Sequence, residues 1–184
     1  NLILGGNYKR LGNAVLHDYG HDLPGRTLQI ACAYGDLTPR LVNCVASGGS
    51  LEIADILPIQ LENLAKKLPK DAPVQLHCMD SAALGFADAS FDRALLFFLL
   101  HEQPQAVREK TLAEALRVIR PGGTLTIVDY APLSRVNPLR YLWKPVLDRL
   151  EPFAHDLFSE EVSAWLPKDG RFRTVGDQRF FGGM

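Results

Sequence analysis

Apolar residues fall along this chain in two rhythms, one stepped by three and four residues and one in short unbroken runs. The first rhythm predicts a helix over residues 7–19, with Leu11, Val15, Leu16 and Tyr19 on one side and Gly20 as its stop. After the turn Leu23-Pro24-Gly25, an apolar run predicts a first strand over 27–33. A helix is expected over 36–46, closed by Ser47-Gly48-Gly49. Further runs predict strands over 50–56, 74–79, 92–98 and 124–129. Between them lie a helix over 58–68, with Leu61, Leu64 and Leu68 inward, and a helix over 104–119. Residues 70–73 and 81–91 read as loop, and Arg120-Pro121-Gly122-Gly123 reads as the end of the second of these helices. Beyond the fifth strand, 138–150 carries a helical period that Pro145 should kink, 159–166 is helical again, and 172–181 reads as a short hairpin finishing the sheet.

Strands without polar alternation are expected to be buried on both faces, as in a parallel sheet. Their alternation with helices implies βαβ crossovers and an α/β fold. The 184 residues, 47% of them hydrophobic, suffice for one domain, 1–184, with a sizeable core. A net charge of −1 gives no general attraction to nucleic acid, and no basic patch is interleaved with aromatics. Cys32, Cys44 and Cys78 show neither metal spacing nor a disulfide framework, so buried thiols in a reducing compartment are expected. No apolar run reaches the roughly 18 residues of a membrane span, and no signal peptide is visible. The chain starts at Asn1 rather than Met, and is expected to be a fragment that lacks its natural start.

In an open parallel sheet, ligands bind beyond the carboxyl ends of the strands. The predicted tips are Ala33-Tyr34-Gly35, Asp55-Ile56, Asp80-Ser81, Leu100-His101-Glu102 and Asp129-Tyr130. A strand, a turn of small residues, a helix and an acid ending the next strand make a pocket for an adenosyl group. Ala31 and Ala33 let a ligand approach the backbone, and Gly35 offers an N–H to a carboxylate. Asp55 has two oxygens for two ribose hydroxyls, or else it caps the helix beginning near Pro58. Asp80 and Ser81 suit an adenine amino group, or simply a turn. With Ile56 they complete the expected cofactor-binding set.

The first strand with Gly35-Asp36-Leu37-Thr38, Asp55, Asp80, Phe91-Asp92 and Arg120-Pro121-Gly122-Gly123 resembles the class I S-adenosylmethionine (SAM) methyltransferases over about residues 25–130. The ending Gly-Asp-Leu-Thr resembles the quinone-pathway members. The segments 31–41, 55–64, 79–84 and 96–104, with Asn1-Leu2-Ile3-Leu4 and Asn7-Tyr8, resemble the RquA-like rhodoquinone-biosynthesis family within them. The resemblance implies a three-layer α/β/α sandwich built on a mostly parallel, seven-stranded Rossmann-like sheet. It implies ubiquinone as substrate, exchange of a ring methoxy group for an amino group, SAM as amino donor, and Mn²⁺ in support. Gln29 stands where the family has an acid, and Ala31 and Ala33 where it has glycines, so the amino-acid end of SAM should be held differently.

Such chemistry needs a base, and His101 is the expected one. Tyr34 and Tyr130 are candidates for hydrogen-bonding the quinone or donating a proton. His101, Glu102 and Asp129 are the expected metal ligands. His155 and Asp156 are further candidates for the pocket lining. Leu139, Leu142, Trp143, Val146 and Leu147, flanked by Arg135, Arg140, Lys144 and Arg149, form a basic amphipathic stripe. The segment 135–167 is therefore expected either to cover the ligand and meet a membrane surface or to pack on the sheet edge. The implied location is cytoplasmic, peripheral on the inner face of the inner membrane. Two other readings are an ordinary SAM-dependent methyltransferase acting on a quinone or small phenol, and a non-catalytic SAM-binding subunit.

Overall fold

The computed structural model of the chain describes residues 8–32, 35–132, 153, 156–157, 160–166 and 176–178. Helix α1 (Tyr8–Tyr19) ends at Gly20, as its spacing predicts. Then come β1 (Arg26–Ile30), α2 (Leu37–Val42), β2 (Ser50–Asp55), α3 (Pro58–Ala65), β3 (Val74–Cys78), β4 (Phe91–Phe97), α4 (Gln105–Val118) and β5 (Ile119–Val128). All ladders are parallel, and the strand order is β3-β2-β1-β4-β5. This is the Rossmann-like α/β class that the sequence implies. The described residues hold five strands of the expected seven.

Side chains alternate across the sheet and feed two cores. Leu28, Ile30, Ala94 and Leu96 pack with Leu112, Ala115 and Val118 of α4. Leu51, Ile53, Leu95 and Phe97 pack on the opposite face with Val15 of α1, Leu37 and Leu41 of α2, and Leu61 and Leu64 of α3. The sheet is thus the middle of three layers. β3, at one edge, is only partly buried, unlike the central strands.

Several boundaries differ from expectation, each for a local reason. β1 stops at Ile30 because Ala31 turns to φ 68°, outside the extended region. α2 ends at Val42, short of 46, because the chain beyond it is drawn into a parallel bridge between Leu23 and Val45. Arg120-Pro121-Gly122-Gly123 does not separate α4 from β5. Phe91 pairs with Ile119 but Arg93 with Thr124, so residues 120–123 bulge from the ladder inside β5. Residues 162–165 form a 3₁₀ turn rather than an α-helix. The expected helix over 138–150 lies outside the described residues, as does most of the expected hairpin. Gly176–Gln178, from within that hairpin, are neither helix nor strand.

Asp92 shows that part of the family-like pattern serves the fold. Its carboxylate accepts the Arg26 N–H at 2.6 Å and pairs with the Arg120 guanidinium at 2.6 Å. Gly25, at φ 74°, packs so closely on this carboxylate that no Cβ fits. The pair closes the amino-terminal end of the sheet, opposite the site. No helix among the described residues is long and apolar enough to cross a membrane.

Candidate active site at the carboxyl edge of the sheet

The tip of β1 is organised by a buried amide. Gln29, fully buried, accepts the Thr38 hydroxyl at 3.0 Å on Oε1 and donates from Nε2 to the Ala31 carbonyl at 3.0 Å. One side chain thus joins strand, exit turn and the first turn of α2. An ionised acid at this position accepts but cannot donate. Of the expected loop residues, Ala31 carries the left-handed turn, while Ala33 and Tyr34 lie outside the described residues.

Asp55, ending β2, turns back towards that loop. Its Oδ2 accepts the Cys32 N–H at 2.9 Å and the Cys32 thiol at 3.2 Å, and Oδ1 accepts the Leu57 N–H at 2.9 Å. The N-cap of α3 is Leu57, so the helix-capping alternative for Asp55 is not what the structure shows. Burial, followed by the Asp55 hydrogen bond and charge, pushes the Cys32 thiol up to about 12. Beside Asp55, Ile56 is 61% exposed, an unusual placement for so large an apolar group. A groove of about 530 Å³ runs from Cys32, Gly35 and Thr38 to Gln60, Asn63 and Lys67 of the α3 side.

The third tip divides its two candidates. Asp80 is exposed and accepts the Ala82 N–H at 2.8 Å, closing a turn. Ser81 faces α4 instead, where its hydroxyl lies 2.9 Å from the Thr111 hydroxyl and 2.9 Å from the Gln103 amide nitrogen that donates to it.

At the fourth and fifth tips, two expected residues meet. His101 sits in a 3₁₀ turn (Leu100–Glu102), 7% exposed, with Nδ1 2.9 Å from Asp129 Oδ1. Asp129 also accepts the backbone N–H groups of Tyr130 at 2.8 Å, Leu100 at 2.7 Å and His101 at 3.4 Å. Because an ionised carboxylate is an acceptor only, Nδ1 donates to Asp129, and in the neutral imidazole the lone pair is then on Nε2. Tyr130 is buried with its ring edge-on to the imidazole, centroids 4.9 Å apart, and Phe98 stands 5.8 Å from the same ring.

The expected metal ligands require correction. Among the described residues no group of three or more His, Cys, Asp or Glu side chains converges to hold a metal ion. Asp129 directs its oxygens to backbone amides and to His101. Glu102 is 64% exposed, and its carboxylate reaches only to 3.9 Å from His101 Nε2. These donors do not fit Mn²⁺. Asp156 pairs with Arg108, and His155 lies outside the described residues.

Tyr8 is a site neighbour that sequence reasoning missed. Its ring packs edge-on against Phe97 and stacks on Phe98, and it fills the space where a Cβ on Gly35 would sit. Its buried hydroxyl has no hydrogen-bond partner among the described residues. Burial and, next, Asp36 raise its pKa. Gly35 is therefore required by a ring of the protein itself. Only the position of Tyr8 at the head of an amphipathic helix hinted at this.

Three comparisons bear on this geometry. A family model described as a methyltransferase domain matches residues 27–123, more than half of the chain. The ubiquinone/menaquinone biosynthesis C-methyltransferase UbiE of Teredinibacter turnerae is 30% identical over 178 residues, covering 95% of this chain and 64% of the relative. The 2-methyl-6-phytyl-1,4-hydroquinone methyltransferase of Synechocystis is 29% identical over 140 residues, covering 74% and 42%. The chain thus spans less than two thirds of either relative's length. A putative methyltransferase of Bacillus halodurans shares the fold, with a TM-score of 0.61 at 16% identity over 81% of this chain and 61% of that one. With five parallel strands in place and an acid closing the second, the match over 27–123 shows that this chain belongs to the methyltransferase-domain family.

Proposed function

We propose that the chain is the catalytic domain of a SAM-dependent methyltransferase that methylates a ring carbon of a quinol. The observation that carries this reading is the His101–Asp129 pair at adjacent strand tips, in a domain whose relatives are named for quinone methylation. The residues suit the adenosyl ligand: Asp55 for the ribose hydroxyls, with its carboxylate already oriented by two backbone N–H groups, the exposed Ile56 for the adenine face, and Asp80 for the adenine amino group. Gly35 supplies a backbone N–H for the carboxylate. When bound, SAM supplies an electrophilic methyl group on a sulfonium.

The chain's own task is to make the ring carbon nucleophilic. His101 Nε2 takes the phenolic proton of the quinol, and the charge spreads from oxygen to the neighbouring ring carbon; once methylated, that carbon loses its hydrogen as a proton while the imidazolium returns the phenolic one, which restores the aromatic ring. Asp129 holds the tautomer and stabilises the imidazolium that forms. Phe98 and Tyr130 wall this position with aromatic surface, against which a planar quinol stacks, Tyr130 with its hydroxyl as a proton donor. The low exposure of His101 keeps competing water away.

A second reading, exchange of a ubiquinone methoxy group for an amino group with SAM as amino donor, draws support from Gln29. A neutral amide already committed to Thr38 and Ala31 offers no charge to retain the ammonium of SAM. For either acceptor, the stripe around 139–147 suits contact with a bilayer, and pelleting with anionic lipid vesicles tests it.

The test of the main reading is turnover of a short-tail demethylated quinol with SAM, monitored by mass. His101→Gln should lower turnover by about 100-fold or more. It should leave S-adenosylhomocysteine affinity within about twofold, since the base does not touch that ligand. Equal turnover by His101→Gln overturns the role of His101, and no methylated quinol from the parent chain overturns the reading.

A further inference from the structure

Arg108, on α4, is fully buried and, among the described residues, the largest side chain so enclosed. Its Nε donates to the Leu100 carbonyl at 3.1 Å and its Nη2 to the Gln103 carbonyl at 3.0 Å. The Leu100 carbonyl belongs to the first residue of the 3₁₀ turn that carries His101, and the Gln103 carbonyl follows that turn. The same Nη2 donates to the Phe153 carbonyl at 2.7 Å, and Nη1 lies 3.6 Å from Asp156 Oδ2. The guanidinium plane sits over the Trp165 ring, 4.5 Å from its centroid. One rigid fork therefore grips two stretches of chain about fifty residues apart in sequence, one bearing the expected base and the other following the fifth strand.

Burial of a guanidinium is costly, and an apolar side chain of similar size fills such a space more cheaply. What it cannot do is fix three carbonyl oxygens in one plane, which the guanidinium fork does. Desolvation lowers the pKa of Arg108, with the nearby charges of Asp156 and then Asp129 opposing it. Leu157, fully buried in the core beneath α4, anchors the gripped segment independently.

We propose that Arg108 is a positioning residue for His101, and that it transmits the placement of Phe153, Asp156 and Trp165 to the His101–Asp129 pair. Only the consequence for turnover rests on His101 being the base. The structural coupling stands apart from it.

The test uses the full chain and two variants. Asp156→Asn removes the half-exposed charge without opening the core, and Arg108→Lys keeps the positive charge but loses the fork. The readout is the imidazole NMR resonance of His101, identified by its loss in His101→Gln. Both variants should shift or split it, although Asp156 belongs to the distant segment. Turnover should fall about threefold to tenfold in Asp156→Asn and further in Arg108→Lys. S-adenosylhomocysteine affinity should hold, because a positioning residue alters kcat rather than that ligand's seat. An unmoved His101 resonance in Asp156→Asn overturns the proposal even if Arg108→Lys fails to fold. Turnover and affinity falling together overturns it as well, in favour of a merely structural role. A shifted resonance in a chain without turnover keeps the coupling and sinks the proposed function instead.

Discussion

Asp55 accepts the backbone N–H of Cys32 at 2.9 Å, so the acid ending the second strand is tied to the turn leaving the first. With the Leu57 N–H on its other oxygen, the carboxylate is held in place before any ligand arrives. Each oxygen retains acceptor capacity for a ribose hydroxyl. Asp55→Ala removes the proposed sugar contact and orphans two N–H groups. Calorimetry should show S-adenosylhomocysteine binding weakened by about 10- to 100-fold, and thermal unfolding should begin a few degrees lower, about the effect of one or two lost charge-assisted bonds.

The three thiols should separate by reactivity. Cys78 is exposed, Cys44 is buried, and Cys32 is buried with its pKa pushed up to about 12. Alkylation at pH 8 followed by peptide mass analysis should label Cys78 first and leave Cys32 unmodified until the chain unfolds, because only the thiolate reacts. The sign for stability follows from a raised value. The Cys32 contribution is fully present below the thiol's ordinary value of 9.0 and is lost as pH rises through about 12.

Gln29→Glu is nearly isosteric, yet it should be harmful. Ionised, the acid still accepts from Thr38 but can no longer donate to Ala31 and places a charge in a fully buried position; neutral, it keeps a donor only at the cost of protonation. The expected loss is about 2 kcal/mol, read as a melting point roughly 4–8 °C lower. An unchanged melting point shows that the amide is not what holds this turn.

Glu114 makes the acid limb of stability. The Arg117 side chain, bonded to it twice at 2.7 Å, lowers its pKa below the usual value of 4.5 against the opposing effect of desolvation. Glu114 also accepts the Leu84 N–H at 2.8 Å, so this pair fastens the loop before β4 to α4. A depressed carboxylate stabilises the fold above 4.5 and ceases to do so as pH falls through its folded value. Glu114→Gln should therefore cost about 1–2 kcal/mol at pH 7 in urea unfolding, with the gap to the parent narrowing towards pH 3.

Much of this was legible in the sequence because its signals are local. Apolar runs and helical spacing report burial directly, so the described strands and α-helices fall where the pattern puts them, except that α2 ends early and β5 begins at Ile119 instead of 124. The acid at Asp55 and the histidine at 101 were legible because strand ends are legible. What escaped depended on contacts between distant residues. Nothing near Arg108 in sequence says that its carbonyl partner at Phe153 comes back to it. Nothing at Arg120-Pro121-Gly122-Gly123 says that a turn-like string bulges inside a ladder. Ser81 read as an adenine contact or a turn residue, and nothing local said that its hydroxyl meets Thr111 and Gln103. The metal trio failed for a related reason: adjacency of strand tips does not reveal that backbone amides already surround Asp129.

The most direct measurement is the fate of SAM labelled twice, with ¹³C in the methyl group and ¹⁵N in the α-amine, incubated with the purified chain and two short-tail acceptors, a demethylated quinol and a ubiquinone. The account predicts a ¹³C-methylated quinol ring, with the ¹⁵N retained in S-adenosylhomocysteine and absent from both quinone products. A ubiquinone product carrying ¹⁵N in place of a methoxy group, with no methylated quinol, contradicts it.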